Sequence, residues 1–74
     1  MSEFANRLRQ LRRERGLTRQ QLAGATGVGR ATLGHYEAGT SEPGLRNLIK
    51  LADYFGVTLD YIAGRPRQLK LFDE

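Results

Sequence analysis

A threonine with a glutamine three residues on, a leucine on each flank and a glycine shortly after fixes how residues 17–36 can fold. Thr18 and Gln21 have capping-box spacing, in which each side chain satisfies a free amide at a helix start. Leu17 before the cap and Leu22 after it are spaced to close as a hydrophobic staple. A cap of this kind stabilises a helix by roughly 1 kcal/mol, enough to set where a short helix begins. Gly27 supplies the left-handed backbone that ends that helix without a Cβ penalty. Val28 and Leu33 repeat the staple spacing around Gly29, which is the expected cap of a second helix. Ala23 is small where that second helix must cross. The stretch therefore predicts two short helices held at a fixed angle by a glycine turn.

The charge is concentrated on the same half of the chain. Seven of the twelve basic residues lie between Arg7 and Arg30. Residues 1–36 carry those seven arginines against Glu3 and Glu14, a formal +5, and residues 37–74 carry five basic and six acidic groups, a formal −1. The whole-chain +4 thus sits on the part that holds the helix pair. Arginines so clustered can pair with phosphates and release counterions, which gives salt-sensitive binding without sequence preference. A solvated arginine face kept for solubility is the plainer explanation. The helix pair tips the balance toward a helix-turn-helix on a positive surface, with its second helix in the major groove of DNA.

Around this unit the periodicity predicts further helices. Phe4, Leu8 and Leu11 share one face of a helix from about Glu3 to Arg15, with Gly16 as its stop. After Pro43-Gly44, a 3.6-residue stripe of Leu45, Leu48, Ile49, Ala52 and Phe55 predicts another helix, ended by Gly56. Thr58 caps a short last helix, with Val57 and Ile62 at staple spacing. These apolar residues, with Leu22, Val28, Leu33 and Tyr36, are the expected core. The chain has 74 residues, one domain's worth, with a modest core.

Taken together, the residues resemble the lambda-repressor-like (Cro/C1, Xre-type) helix-turn-helix family of bacteria and phages. The likeness runs from about Asn6 to Gly64. It rests on Leu8, Leu11-Arg12, Arg15-Gly16-Leu17-Thr18, Leu22-Ala23, Gly27-Val28, Thr32-Leu33, Tyr36-Glu37, Gly39 and Pro43. It continues through Leu45, Leu48, Leu51-Ala52 and Phe55-Gly56-Val57-Thr58-Leu59-Asp60. The resemblance implies an all-α, five-helix DNA-binding domain over residues 1–64, commonly a dimer acting in transcriptional regulation. It also implies a pair between Arg12 and Glu37 beneath the motif, and phosphate contacts from the first turn of the second helix and from amides after Gly39.

Candidate site residues follow from helix position. At 100° per residue, Ala31, Gly34, His35 and Ala38 fall opposite Leu33 and Tyr36, with Arg30 on the flank. Arg30 suits guanine, Ala31 a thymine methyl, and His35 an acceptor such as N7, while Gly34 permits close approach. Arg30, Ala31, Gly34 and His35 are therefore the expected base readers. Thr18, Arg19, Gln20, Gly29 and Thr40 are the expected phosphate contacts. Arg19 stands where the family often has glutamine, and should strengthen phosphate binding. The loop Thr40-Ser41-Glu42 lacks the family's basic residues, and Glu42 would repel phosphate.

Other functions find little support. There is no cysteine and one histidine, so no thiolate zinc site or disulfide is expected and no metal or cofactor. The only serines, Ser2 and Ser41, have no base arranged beside them, so no enzyme is expected. No apolar run approaches membrane-span length and no signal-peptide core opens the chain, so a cytoplasmic protein is expected. No sensory or self-cleaving domain follows in this sequence, which would leave control to dimerisation, a protein partner or concentration. Residues 65–74 lie past the resemblance. Their Leu69, Leu71 and Phe72 suit docking onto the domain or a partner subunit, or equally a frayed terminus. The leading expectation is a small repressor binding a double-stranded operator as a homodimer. The rival is an interaction module or antitoxin of the same fold with weak DNA affinity, engaging a toxin or antirepressor.

Overall fold

In a computed structural model that describes residues 3–64, the chain forms five helices and no strand among those residues. They are α1 (Glu3–Glu14), α2 (Arg19–Thr26), α3 (Arg30–Ala38), α4 (Leu45–Phe55) and α5 (Leu59–Ala63). The tail 65–74 and its possible docking lie outside the described residues.

The helix boundaries follow from local chemistry. Thr18 Oγ1 accepts from the Gln21 amide at 3.0 Å while Gln21 Oε1 accepts from the Thr18 amide at 2.9 Å, so the capping box is closed in both directions. Gly27 ends α2 at φ 83°, and its amide donates to Ala23 O at 2.8 Å. A side chain at that φ would be strained, which places glycine at the turn. Thr58 Oγ1 accepts from the Tyr61 amide at 3.0 Å and starts α5.

Each helix sends one fully buried aliphatic side chain to the centre: Leu8, Leu22, Leu33, Leu51 and Ile62. Burying one such side chain contributes about 1.5–3 kcal/mol. Around them lie Phe4, Leu11, Val28, Tyr36, Ala52 and Phe55. Phe4 and Tyr36 meet edge to face with centroids 5.6 Å apart, and Tyr36 Oη accepts from Asn47 Nδ2 at 3.0 Å, which ties α3 to α4. One expected core stripe is rotated. Leu45 and Ile49 are 66% and 39% exposed, whereas Leu51 is fully buried. The stripes 45/48/49/52 and 48/51/52/55 both fit a helical period. Packing against α2 and α5 selects the second.

Helix α1 acts as an arginine rod that ties the other helix ends. Arg7 Nη1 donates to Tyr61 O at 3.3 Å with its guanidinium 4.3 Å from the centre of the Tyr61 ring. Arg9 Nη1 donates to Glu37 O at 2.6 Å, and Arg15 Nη2 to Phe55 O at 3.0 Å. These are carbonyls of the last turns of α5, α3 and α4, where intrahelical donors run out, and the Tyr61 carbonyl also accepts from the Gly64 amide that caps α5. The basic cluster is thus largely a set of helix ties, rather than a row of side chains reaching outward for phosphate.

Candidate nucleic-acid interface

Helices α2 and α3 bring their N-terminal ends together at one open cleft. It has a volume of about 470 Å³ and is lined by Thr18, Arg19, Gln20, Arg30, Ala31 and Gly34. All six were expected, on sequence, to touch DNA. The fixed turn at Gly27 brings them to one surface. At the α2 end the threonine hydroxyl and amide are engaged in the capping box. At the α3 end Gly29 is the N-cap and offers no side chain, so no side chain caps the first-turn amides of α3. The positive end of that helix dipole is left open, an arrangement that favours an anion.

The outward stripe of α3 is exposed where the helical period puts it. Arg30, Ala31, His35 and Ala38 are exposed and Gly34 is half-buried, while Leu33, Tyr36 and Glu37 are buried. A Cβ built on Gly34 would meet nothing within 4 Å, so the bareness of the stripe is not imposed by packing.

Behind the cleft lies a three-residue ion cluster. Arg12 Nε donates to Glu37 Oε2 at 2.7 Å and Arg12 Nη2 to Glu37 Oε1 at 2.9 Å, a bidentate pair, while Arg12 Nη1 reaches Leu17 O at 2.8 Å. Glu37 Oε1 also accepts from Arg19 Nε at 3.1 Å. The side chain of Glu37 is 1% exposed, that of Arg12 11% and that of Arg19 48%. The hydrogen bond to Glu37 holds the Arg12 guanidinium more firmly protonated than a free one, and desolvation opposes this. Arg19 was expected to serve phosphate alone. Its Nε binds the buried carboxylate, and the residue also lines the cleft.

Thr40, expected on sequence to contact phosphate, makes its hydrogen bonds within the domain to α3. Its amide donates to His35 O at 3.0 Å in the cap of α3, beside Gly39 at φ 79°. Its hydroxyl lies 3.3 Å from the same carbonyl and 3.2 Å from His35 Nδ1. Both of its polar groups are therefore turned back onto α3. The sequence signal that was missed is the polar residue just past the helix-ending glycine, five residues after His35. Among the described residues no His, Cys, Asp or Glu group could hold a metal ion, and no helix is long and apolar enough to cross a membrane.

Residues 8–62 match a helix-turn-helix family model. The chain belongs to this family. Over 61 residues it is 43% identical to the uncharacterized HTH-type transcriptional regulator YobD of Bacillus subtilis (strain 168), covering 82% of this chain and 54% of that protein. Over 56 residues it is 41% identical to the cryptic phage CTXphi transcriptional repressor RstR of Vibrio cholerae, covering 76% of this chain and 50% of the other. The chain thus spans about half the length of these curated relatives. Among solved structures it is similar to a transcriptional regulator from Listeria innocua, with TM-score 0.81 and 30% identity over 97% of this chain and 68% of that one. It is also similar to the restriction-modification controller protein C.AhdI of Aeromonas hydrophila, with TM-score 0.74 and 34% identity over 80% and 89% of the two chains. These relatives are regulators, not enzymes.

Proposed function

We propose that this helix-turn-helix protein is a cytoplasmic transcriptional regulator, a repressor that binds an operator in double-stranded DNA as a homodimer. The cleft between the N-terminal ends of α2 and α3 carries this reading. It gathers Thr18, Arg19, Gln20, Arg30, Ala31 and Gly34 on one open surface. With α3 in the major groove, Arg30 and His35 meet base edges, and Ala31 and Gly34 let the backbone approach. Arg19, with the uncapped end of α3 at Gly29, meets phosphate. One helix of this length reads few base pairs, so two subunits on half-sites about 34 Å apart supply the rest of the specificity.

The test is a competition titration of a selected operator against random duplex at several salt concentrations. Arg19→Ala should weaken both DNAs alike and make the salt slope shallower by about 1. Arg30→Ala should cost about 1–3 kcal/mol more on the operator than on random DNA. A parent protein with neither a salt slope nor a sequence preference would refute the proposal and favour an interaction module.

A further inference from the structure

The contacts between His35 and Thr40 bear on which ring nitrogen of His35 carries the proton. A hydroxyl has one proton to give and two lone pairs to accept with. Thr40 Oγ1 lies 3.3 Å from His35 O, which can only accept, and 3.2 Å from His35 Nδ1. His35 O already accepts from the Gly39 and Thr40 amides, and both hydroxyl contacts are favourable together in one arrangement. The Thr40 proton goes to the carbonyl oxygen, and Oγ1 accepts from an N–H at Nδ1. The opposite assignment would give the hydroxyl proton to Nδ1 and set two oxygen lone pairs against each other. In a neutral imidazole one nitrogen donates and the other accepts, so a proton on Nδ1 leaves a bare lone pair on Nε2. The Thr40 amide bond to His35 O at 3.0 Å holds the two residues in register.

We infer that Thr40 sets the tautomer of His35, so that α3 offers the DNA an acceptor at this position and selects a base with a major-groove amino group, cytosine or adenine, over guanine. This rests on the proposed placement of α3 in the major groove. It reverses the sequence-based expectation that His35 donates to N7. Cytosine offers only an N4 donor there and adenine an N6 donor beside N7, whereas guanine offers only acceptors at N7 and O6. Thr40 does not touch the base. It is a positioning residue that chooses which polarity His35 presents.

Two measurements on the full chain test the inference. The first is a long-range nitrogen–proton NMR correlation of the His35 ring in the free protein at alkaline pH. The parent and Thr40→Ser, which keeps the hydroxyl, should carry the proton on Nδ1. Thr40→Val, which keeps the shape and the amide but loses the acceptor, should move it to Nε2. The second is selection from random duplexes with parent, Thr40→Val and His35→Ala. The position whose preference disappears in His35→Ala should favour cytosine or adenine in the parent. In Thr40→Val that preference should shift toward guanine by on the order of tenfold, with other positions unchanged. A parent ring protonated on Nε2 overturns the inference whatever the DNA result, as does a base preference that Thr40→Val leaves intact. A parent ring protonated on Nδ1, with no base preference that depends on His35, refutes the groove placement of His35 and the base prediction with it.

Discussion

Replacing Glu37 tests whether the ion cluster organises the domain. Glu37→Ala removes a carboxylate that accepts three charge-assisted hydrogen bonds, two from Arg12 and one from Arg19. The Arg19 side chain is 48% exposed, so water replaces its lost partner at little cost. Arg12 is the expensive loss, because its side chain is 11% exposed and keeps only Leu17 O at 2.8 Å. Removing one partner of a buried pair costs about 3–5 kcal/mol. Partial access of water to Arg12 places this case at the lower end, about 3 kcal/mol for alanine. Glutamine keeps one acceptor, so Glu37→Gln should cost about 2 kcal/mol.

For a domain of this size each kcal/mol lowers the melting temperature by about 4–8 °C, so the alanine variant should melt about 12–24 °C below the parent. Total stability for such a chain is about 4–11 kcal/mol, and the loss is a large share of it. The assay is urea and thermal unfolding at one protein concentration, followed by circular dichroism. The double variant Arg12→Met, Glu37→Leu adds the decisive comparison, since an apolar pair of similar volume leaves no stranded charge. It still forfeits the bond to Leu17 O, about 1 kcal/mol, and should therefore be more stable than Glu37→Ala alone. If Glu37→Ala unfolds within about 0.5 kcal/mol of the parent, the burial argument fails, and effects of Arg12→Met and Glu37→Leu that simply add would mean no coupling between the two residues.

Other substitutions separate folding from binding. Thr18→Ala opens the capping box and should cost about 1 kcal/mol in urea unfolding; no change would mean that the α2 start is held by packing alone. Gly24→Ala and Gly34→Ala each place a methyl in helical backbone with nothing beyond the local helix backbone within 4 Å, and each should stabilise by up to about 1 kcal/mol. Only Gly34 lines the cleft, so Gly34→Ala alone should alter operator affinity. Equal effects on binding would remove the cleft from the interface.

The parts of the fold legible in the sequence are those set by near neighbours. Thr18 with Gln21, Gly27 and Thr58 act within a few residues, so their spacing names the helix ends directly. The core face of α4 was not legible. Its apolar arc is wider than one contact stripe, and only the neighbouring helices choose Leu51 over Leu45. The roles of Arg7, Arg9 and Arg15 were also hidden, because their carbonyl partners lie 54, 28 and 40 residues away. Of the candidate site, helical period placed Ala31 and His35 on the exposed face. The Arg12–Glu37 pair came from family resemblance and not from any local pattern. Arg19 joining that pair, and Thr40 turning back onto His35, depend on side-chain reach across a turn, which spacing does not encode.

The arginine ties separate two effects of the same charges, long-range attraction and contact. A hydrogen bond to a carbonyl does not neutralise a guanidinium, so Arg7 and Arg15 still contribute to the positive field that draws DNA in. They do not release counterions unless they meet phosphate, and the salt slope counts those meetings at about 0.9 per phosphate. Arg15 makes the sharper test, held by Phe55 O at 3.0 Å with its guanidinium 5.3 Å from the Phe55 ring centre. Arg15→Gln should therefore lower stability and modestly lower affinity for every duplex, yet leave the slope of log affinity against log salt unchanged. Arg19→Ala, at a half-exposed residue that lines the cleft, should flatten the same slope by about 1. If Arg15→Gln flattens it as much as Arg19→Ala does, the helix-tying arginines let go of their carbonyls and grip the DNA, and the division between rod and interface is wrong.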